Sequence, residues 1–199
     1  MLSYISRWHP HRRQIVNWTV TVGSVLLCLL LLPMRLPGME LLGIAPNWLL
    51  IWVVVWSVKR TVLQGAIAGL VLGLLQDAMT SPHPTHAFSL AVVGIVTARL
   101  QKQRYIQEDF ISVALIVFGM TVLAETITAL QFSFVSTSAS GVEGVANSLC
   151  CAWAARDLVE IWTYHQQIAL CSAILSSLWA PVVYYPLNRW WEKINILAP

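Results

Sequence analysis

The sequence predicts an all-α integral membrane protein, a bundle of six transmembrane helices with both ends on the cytoplasmic side. Composition is the first reason. Of its 199 residues, 57% are hydrophobic and 11% charged, with a mean hydropathy of +0.68, whereas a soluble globular chain carries roughly 25% charged residues. A chain this apolar cannot cover its own surface in water, and lipid removes the problem. Patterning is the second reason: six stretches approach the roughly 20 apolar residues that cross a bilayer. The third is charge. Lys and Arg total 12, and they divide unequally between alternate connections. The length suits one integral membrane domain, residues 1–199, and no soluble domain, low-complexity tract or Gly/Ser linker interrupts it.

The first span is expected over 15–34. Arg7, Arg12 and Arg13 precede an apolar run from Val16 to Leu32, longer than a signal-peptide core of about 7–15 residues. Pro33-Met34-Arg35 follows instead of a small-x-small cleavage pattern, so the run reads as a retained signal anchor. The second span, 41–58, contains Pro46 and is either kinked there or begins there. The third is 61–79. The fourth, 87–101, is short unless it draws in Thr85 and His86, and local bilayer thinning or packing inside a bundle accommodates a short helix. The fifth is 110–131 and the sixth 167–187. Between these last two lies the longest outer segment, 132–166. It opens with the run STSASGVEG, then shows helical apolar spacing through Val145, Leu149, Ala152, Ala155 and Val159. A helix lying on or partly in the outer interface is expected there, with a partial extra span as the alternative.

Orientation follows from the basic residues. With the N-terminus inside, Arg7, Arg12, Arg13, Lys59, Arg60, Arg99, Lys102, Arg104, Arg189 and Lys193 are cytoplasmic, and Arg35 and Arg156 are outside. Positively charged residues concentrate on the cytoplasmic side of membrane proteins, and a wrong helix count would scramble this asymmetry. Trp8, Trp18, Trp190 and Trp191 fall where inner-interface anchors belong.

The third span carries the most information. Gly65, Gly69 and Gly73 recur at i, i+4 and i+8, and small residues on one face let helix backbones approach closely in lipid. Asp77 is the next step along that face. It either points toward the bundle interior or caps the outer end of its helix in water. Glu125 lies inside the fifth span with Thr121 and Thr128 on its face. At about 1.5 Å per residue, both acids reach the outer third of the membrane. An intramembrane acid is a functional-site hypothesis, and an interhelical hydrogen bond is the alternative. Arg35 and Arg156 are candidate counter-charges.

His83, His86 and His165 share the outer side with Asp77, but Pro82 and Pro84 break the helix that would align two histidines, and no metal is expected. Cys28 and Cys171 read as apolar filler, and Cys150 and Cys151 are adjacent and unsuited to bridging each other. Trp48, Trp52 and Trp56 form a stripe that reads as a packing or lipid face. The polar loop 101–109 is a solvated or headgroup-resting connection and a natural place for a cytoplasmic partner. No nucleophile–base pair, phosphate loop or HExxH pattern is present, so no enzyme, cofactor or nucleic-acid partner is expected.

Pro46-Asn47-Trp48 opening an aromatic second span, the Gly-spaced third span ending in Leu75-Gln76-Asp77, and SSLWAPVVYYPLNRWW over 176–191 together resemble the rod shape-determining membrane protein MreD family. The resemblance covers roughly 45–100 and 170–192. It departs in Thr80-Ser81-Pro82, where relatives often carry a Ser-Gly turn, and in the size of 132–166. It implies a non-enzymatic inner-membrane scaffold of the bacterial cell-elongation and peptidoglycan-synthesis machinery. The implied partners are an MreC-like bitopic protein, an MreB-like filament protein, cell-wall synthases and membrane lipid. Asp77, Glu125, Asn47 and Arg35 are then the candidate polar site for partners. The family's fold is similar to the substrate-binding subunits of energy-coupling-factor transporters, so a small-molecule uptake subunit is the alternative. Such subunits carry small-x-x-x-small spacing on the first helix. Here that helix has only Gly23 and Ser24 near its middle, and the small face is on the third.

Overall fold

The computed structural model describes residues 10–34, 43–80, 85–102, 110–140 and 148–196. In chain order the helices are α1 (Pro10–Leu31), α2 (Trp48–Ser57), α3 (Val62–Thr80), α4 (His86–Lys102), α5 (Phe110–Ser140) and α6 (Ser148–Ile196). Four of them contain stretches long and apolar enough to cross a membrane: Gln14–Leu31, Val62–Thr80, Ile111–Gln131 and His165–Lys193. Trp48–Ser57 and His86–Leu100 are shorter apolar helices.

Two elements differ from expectation. The second span, expected over 41–58, is helical for only ten residues, about 15 Å of rise. Pro46 and Asn47 set its start. The Asn47 side-chain oxygen accepts the Leu50 N–H at 3.2 Å, an N-cap that satisfies one of the orphan donors of the first turn. The helix therefore begins after Pro46 and is not kinked by it. The second difference is in 132–166. Its helix does not lie apart on the interface: α6 runs unbroken from Ser148 into the last apolar stretch. Neither Gly nor Pro occurs between 148 and 166, so no helix-stopping residue separates the two parts. Likewise α5 continues past 131 to Ser140, the residue before Gly141.

The short helix α2 is the centre of the bundle. It contacts each of the other five helices, and every side chain from Leu49 to Val55 is buried. An apolar helix without a polar face belongs inside. Its tryptophan stripe is a packing face. Trp48 meets Trp179 of α6 with ring centroids 5.6 Å apart, Trp52 stacks on Trp56 at 5.3 Å, and Trp56 meets Trp191 edge-on at 5.2 Å. Arg60 covers the open side of Trp56 at 4.4 Å, a cation–π contact. Polar groups close the remaining gaps. The Trp52 indole N–H donates to Ser24 of α1 at 2.9 Å, and the Asn47 N–H donates to Ser176 of α6 at 3.1 Å.

The turn into α3 is a reciprocal capping box: the Thr61 N–H donates to Gln64 Oε1, and the Gln64 N–H to Thr61 Oγ1, each at 3.4 Å. From there Gly65, Gly69 and Gly73 lie against α4. A Cβ on Gly65 would stand 2.7 Å from the Gly94 carbonyl oxygen and 3.0 Å from Ser57 Oγ. One on Gly69 would enter the Leu90 carbonyl group, and one on Gly73 would strike the Ala87 Cα and stand 2.8 Å from the His86 oxygen. Leu63, Ile67, Leu70 and Leu74, on the opposite face of α3, are exposed and suited to lipid.

Candidate intramembrane polar site

The glycine stripe leads directly to Asp77, in the last turn of α3 and only 4% exposed. Close approach of α3 and α4 brings its carboxylate over the first residues of α4. The His86 N–H donates to both carboxylate oxygens at 2.9 and 3.1 Å, and the Ala87 N–H to Oδ2 at 2.9 Å. The Thr85 hydroxyl donates to Oδ1 at 3.4 Å. His86 Nδ1 lies 2.9 Å from Oδ1 and donates when that nitrogen carries the proton. A helix start presents unpaired N–H groups and partial positive charge, so a carboxylate there is favourably placed. Asp77 thus caps a helix, but the start of α4 and not the end of its own, and it does so in a buried position.

Glu125 is built differently. It lies part-buried on α5, and its carboxyl makes no hydrogen bond or ion pair among the described residues. His86, which touches Asp77, is also near enough to Glu125 to act on its carboxyl electrostatically. Thr121 and Thr128 do not assist: each hydroxyl donates to its own helix, at 2.8 Å to the Val117 oxygen and 3.0 Å to the Ala124 oxygen. Glu125 instead lines a groove of about 310 Å³ between α5 and α6, together with Thr126, His165 and Gln166.

Of the other candidates, Asn47 caps α2 and sits far from both acids in chain order. Arg35 and His83 lie outside the described residues, as does the side chain of Arg156. His86, weighed from sequence as a metal ligand or as an extension of the fourth span, starts α4 and holds Asp77 through its backbone N–H and its ring. Thr85, Ser176 and Gly94 were missed. Gly94 had a signal, a lone glycine in the apolar run AVVGIV, and Thr85 had one as a hydroxyl residue just before a helix start.

Membrane-length apolar helices around a buried central helix, with a carboxylate cap joining one of them to the shorter α4, define a multi-pass membrane protein. Residues 12–155 match the family model for rod shape-determining protein MreD. The chain belongs to that family, and its role is that of a rod shape-determining membrane protein. None of the curated proteins compared with it matches.

Proposed function

We propose that this protein is a non-enzymatic inner-membrane scaffold of the bacterial cell-elongation machinery, binding an MreC-like bitopic partner and, through it, the filament protein and cell-wall synthases that build peptidoglycan. The family match carries this reading. The site supports a structural role, because Asp77, the most buried acid among the described residues, is fully engaged in joining α3 to α4. In this reading Asp77, Glu125, Asn47 and Arg35 shape the partner-facing surface. The test is a pull-down of the MreC-like protein from membranes. Glu125→Ala should lower its recovery several-fold while the variant inserts normally. Unchanged recovery together with normal cell shape would remove Glu125 from the partner surface. Recovery of an ATPase transport module in place of the wall-synthesis partner would favour the uptake-subunit alternative.

The proposed topology is six crossings with both termini cytoplasmic, an arrangement like that of energy-coupling-factor substrate-binding subunits. The short helices α2 and α4 cross inside the bundle, where neighbours and local thinning make up the missing length. The basic-residue asymmetry supports it. A reporter fused after Pro199 should read as cytoplasmic and one at Ser140 as external; a cytoplasmic reading at Ser140 would remove the crossing by α5.

A further inference from the structure

The turn between α2 and α3 holds a cavity of about 470 Å³ that closes against the last turns of α4. Its lining is of two kinds: the polar side chains Lys59, Arg60, Thr61 and Gln64, and the apolar Val58 and Ala98. The charge is one-sided. Lys59 meets Glu192 at 3.5 Å, the one acid at this end of the bundle among the described residues, while Arg60 and Arg99, the latter next to Ala98, are exposed. Arg60 is also held in place, its guanidinium 4.4 Å from the centre of the Trp56 ring. A guanidinium stacked on an aromatic face keeps its N–H edge, and a phosphate takes two of those N–H groups side by side. The position of the cavity then selects among anions. The apolar stretch of α3 begins at Val62, so the cavity stands where hydrocarbon gives way to headgroups. Leu63 beside it is 71% exposed, and Ile67 and Leu70 continue that bare apolar face along α3. A ligand here meets positive charge and, directly next to it, surface suited to acyl chains. An anionic phospholipid has that order. An acidic peptide or a free phosphate answers only the charge. Basic pockets between membrane helices on the cytoplasmic side bind anionic headgroups for this reason.

We infer that this cavity binds the phosphate-bearing headgroup of an anionic phospholipid of the inner leaflet, with Arg60 as its principal cation and the acyl chains along Leu63 and Ile67. The site goes beyond the scaffold reading and shares with it only the proposed topology, which names the leaflet. The full-length protein in neutral detergent, doped with phosphatidylglycerol or with phosphatidylcholine, should keep a phosphatidylglycerol adduct in native mass spectrometry. Phosphatidylcholine, whose headgroup is neutral overall, should be kept far less. Arg60→Gln should lower phosphatidylglycerol retention about tenfold, the effect of losing a hydrogen bond between charged groups, with the variant still monodisperse. Arg60→Lys, which keeps the charge and loses the paired N–H geometry, should fall between. Arg189→Gln removes an exposed cation at the same end of the bundle but outside the cavity, and it should retain the lipid as the wild type does. Equal retention of the two lipids, equal losses for Arg60→Gln and Arg189→Gln, or tighter binding of inorganic phosphate or a polyglutamate peptide than of the lipid would overturn the inference. Any of those results leaves the scaffold reading standing, because recovery of the partner from membranes is read separately.

Discussion

Replacing Gly69 by leucine should prevent the bundle from assembling, and even Gly69→Ala should lower its thermal stability in detergent. The added Cβ meets the Leu90 carbonyl group of α4, which is backbone and cannot rotate away. Overpacking a close-fitted core costs typically about 1–3 kcal/mol, and more where the backbone must move. Gly73 faces the same obstacle at Ala87, and Gly94 faces it from the other side at Gly65. Gly23 supplies the control. Nothing lies within 4 Å of a Cβ built there, and alanine is the better helix former by about 1 kcal/mol, so Gly23→Ala should leave stability unchanged or raise it. Equal melting temperatures for Gly69→Ala and wild type would show that α3 and α4 are not held at backbone contact.

The second large effect belongs to Asp77. Asp77→Ala leaves the His86 and Ala87 N–H groups without their acceptor in a buried position, and an orphaned buried donor costs about 1–3 kcal/mol. The expected loss is about 3 kcal/mol, read as a lower melting temperature with α3 and α4 separating at their outer ends. Asp77→Asn should lose about half as much, because its carbonyl oxygen still accepts one N–H while the amide nitrogen opposes the other. The two acids then separate by measurement: Asp77 variants lose stability, whereas Glu125→Ala keeps its melting temperature and loses partner recovery. Asp77→Ala melting with wild type would contradict the capping role.

The glycine stripe was legible because a period of four on a helix reports a face whatever that face touches. What touches it was not legible from the stripe alone, since spacing carries no information about the neighbour; Gly94 was the one residue that could have named α4. Asp77 was visible as an acid on that face, but its role was hidden for a physical reason. Capping rules concern the residue just before a helix, and here the acceptor comes from another helix, nine residues upstream in the chain. Helix α2 shows the opposite limit. Pro46 was legible as either a kink or a start, and a start there already meant a short helix, yet a helix apolar on all sides looks the same whether lipid or protein surrounds it, so its central position emerged only from the contacts. The joining of 148–166 to the last apolar stretch was missed because the sixth span was bounded by its apolar run, although polar residues do not end a helix.

The central position of α2 constrains the order in which the chain can mature. At ten residues it is too short to hold itself in a bilayer. The groups that complete its surroundings, Ser176, Trp179 and Trp191, lie more than a hundred residues further along. A ribosome therefore exposes the most apolar helix of the bundle early and delivers its last wall late. Until α6 arrives, α1, α3, α4 and α5 must shelter it at the insertion site without their last neighbour. A chain cut short before Ser176 would keep most of its membrane-length helices and still present an open core to the cell's membrane proteases, so full-length synthesis is itself the step that makes this protein durable.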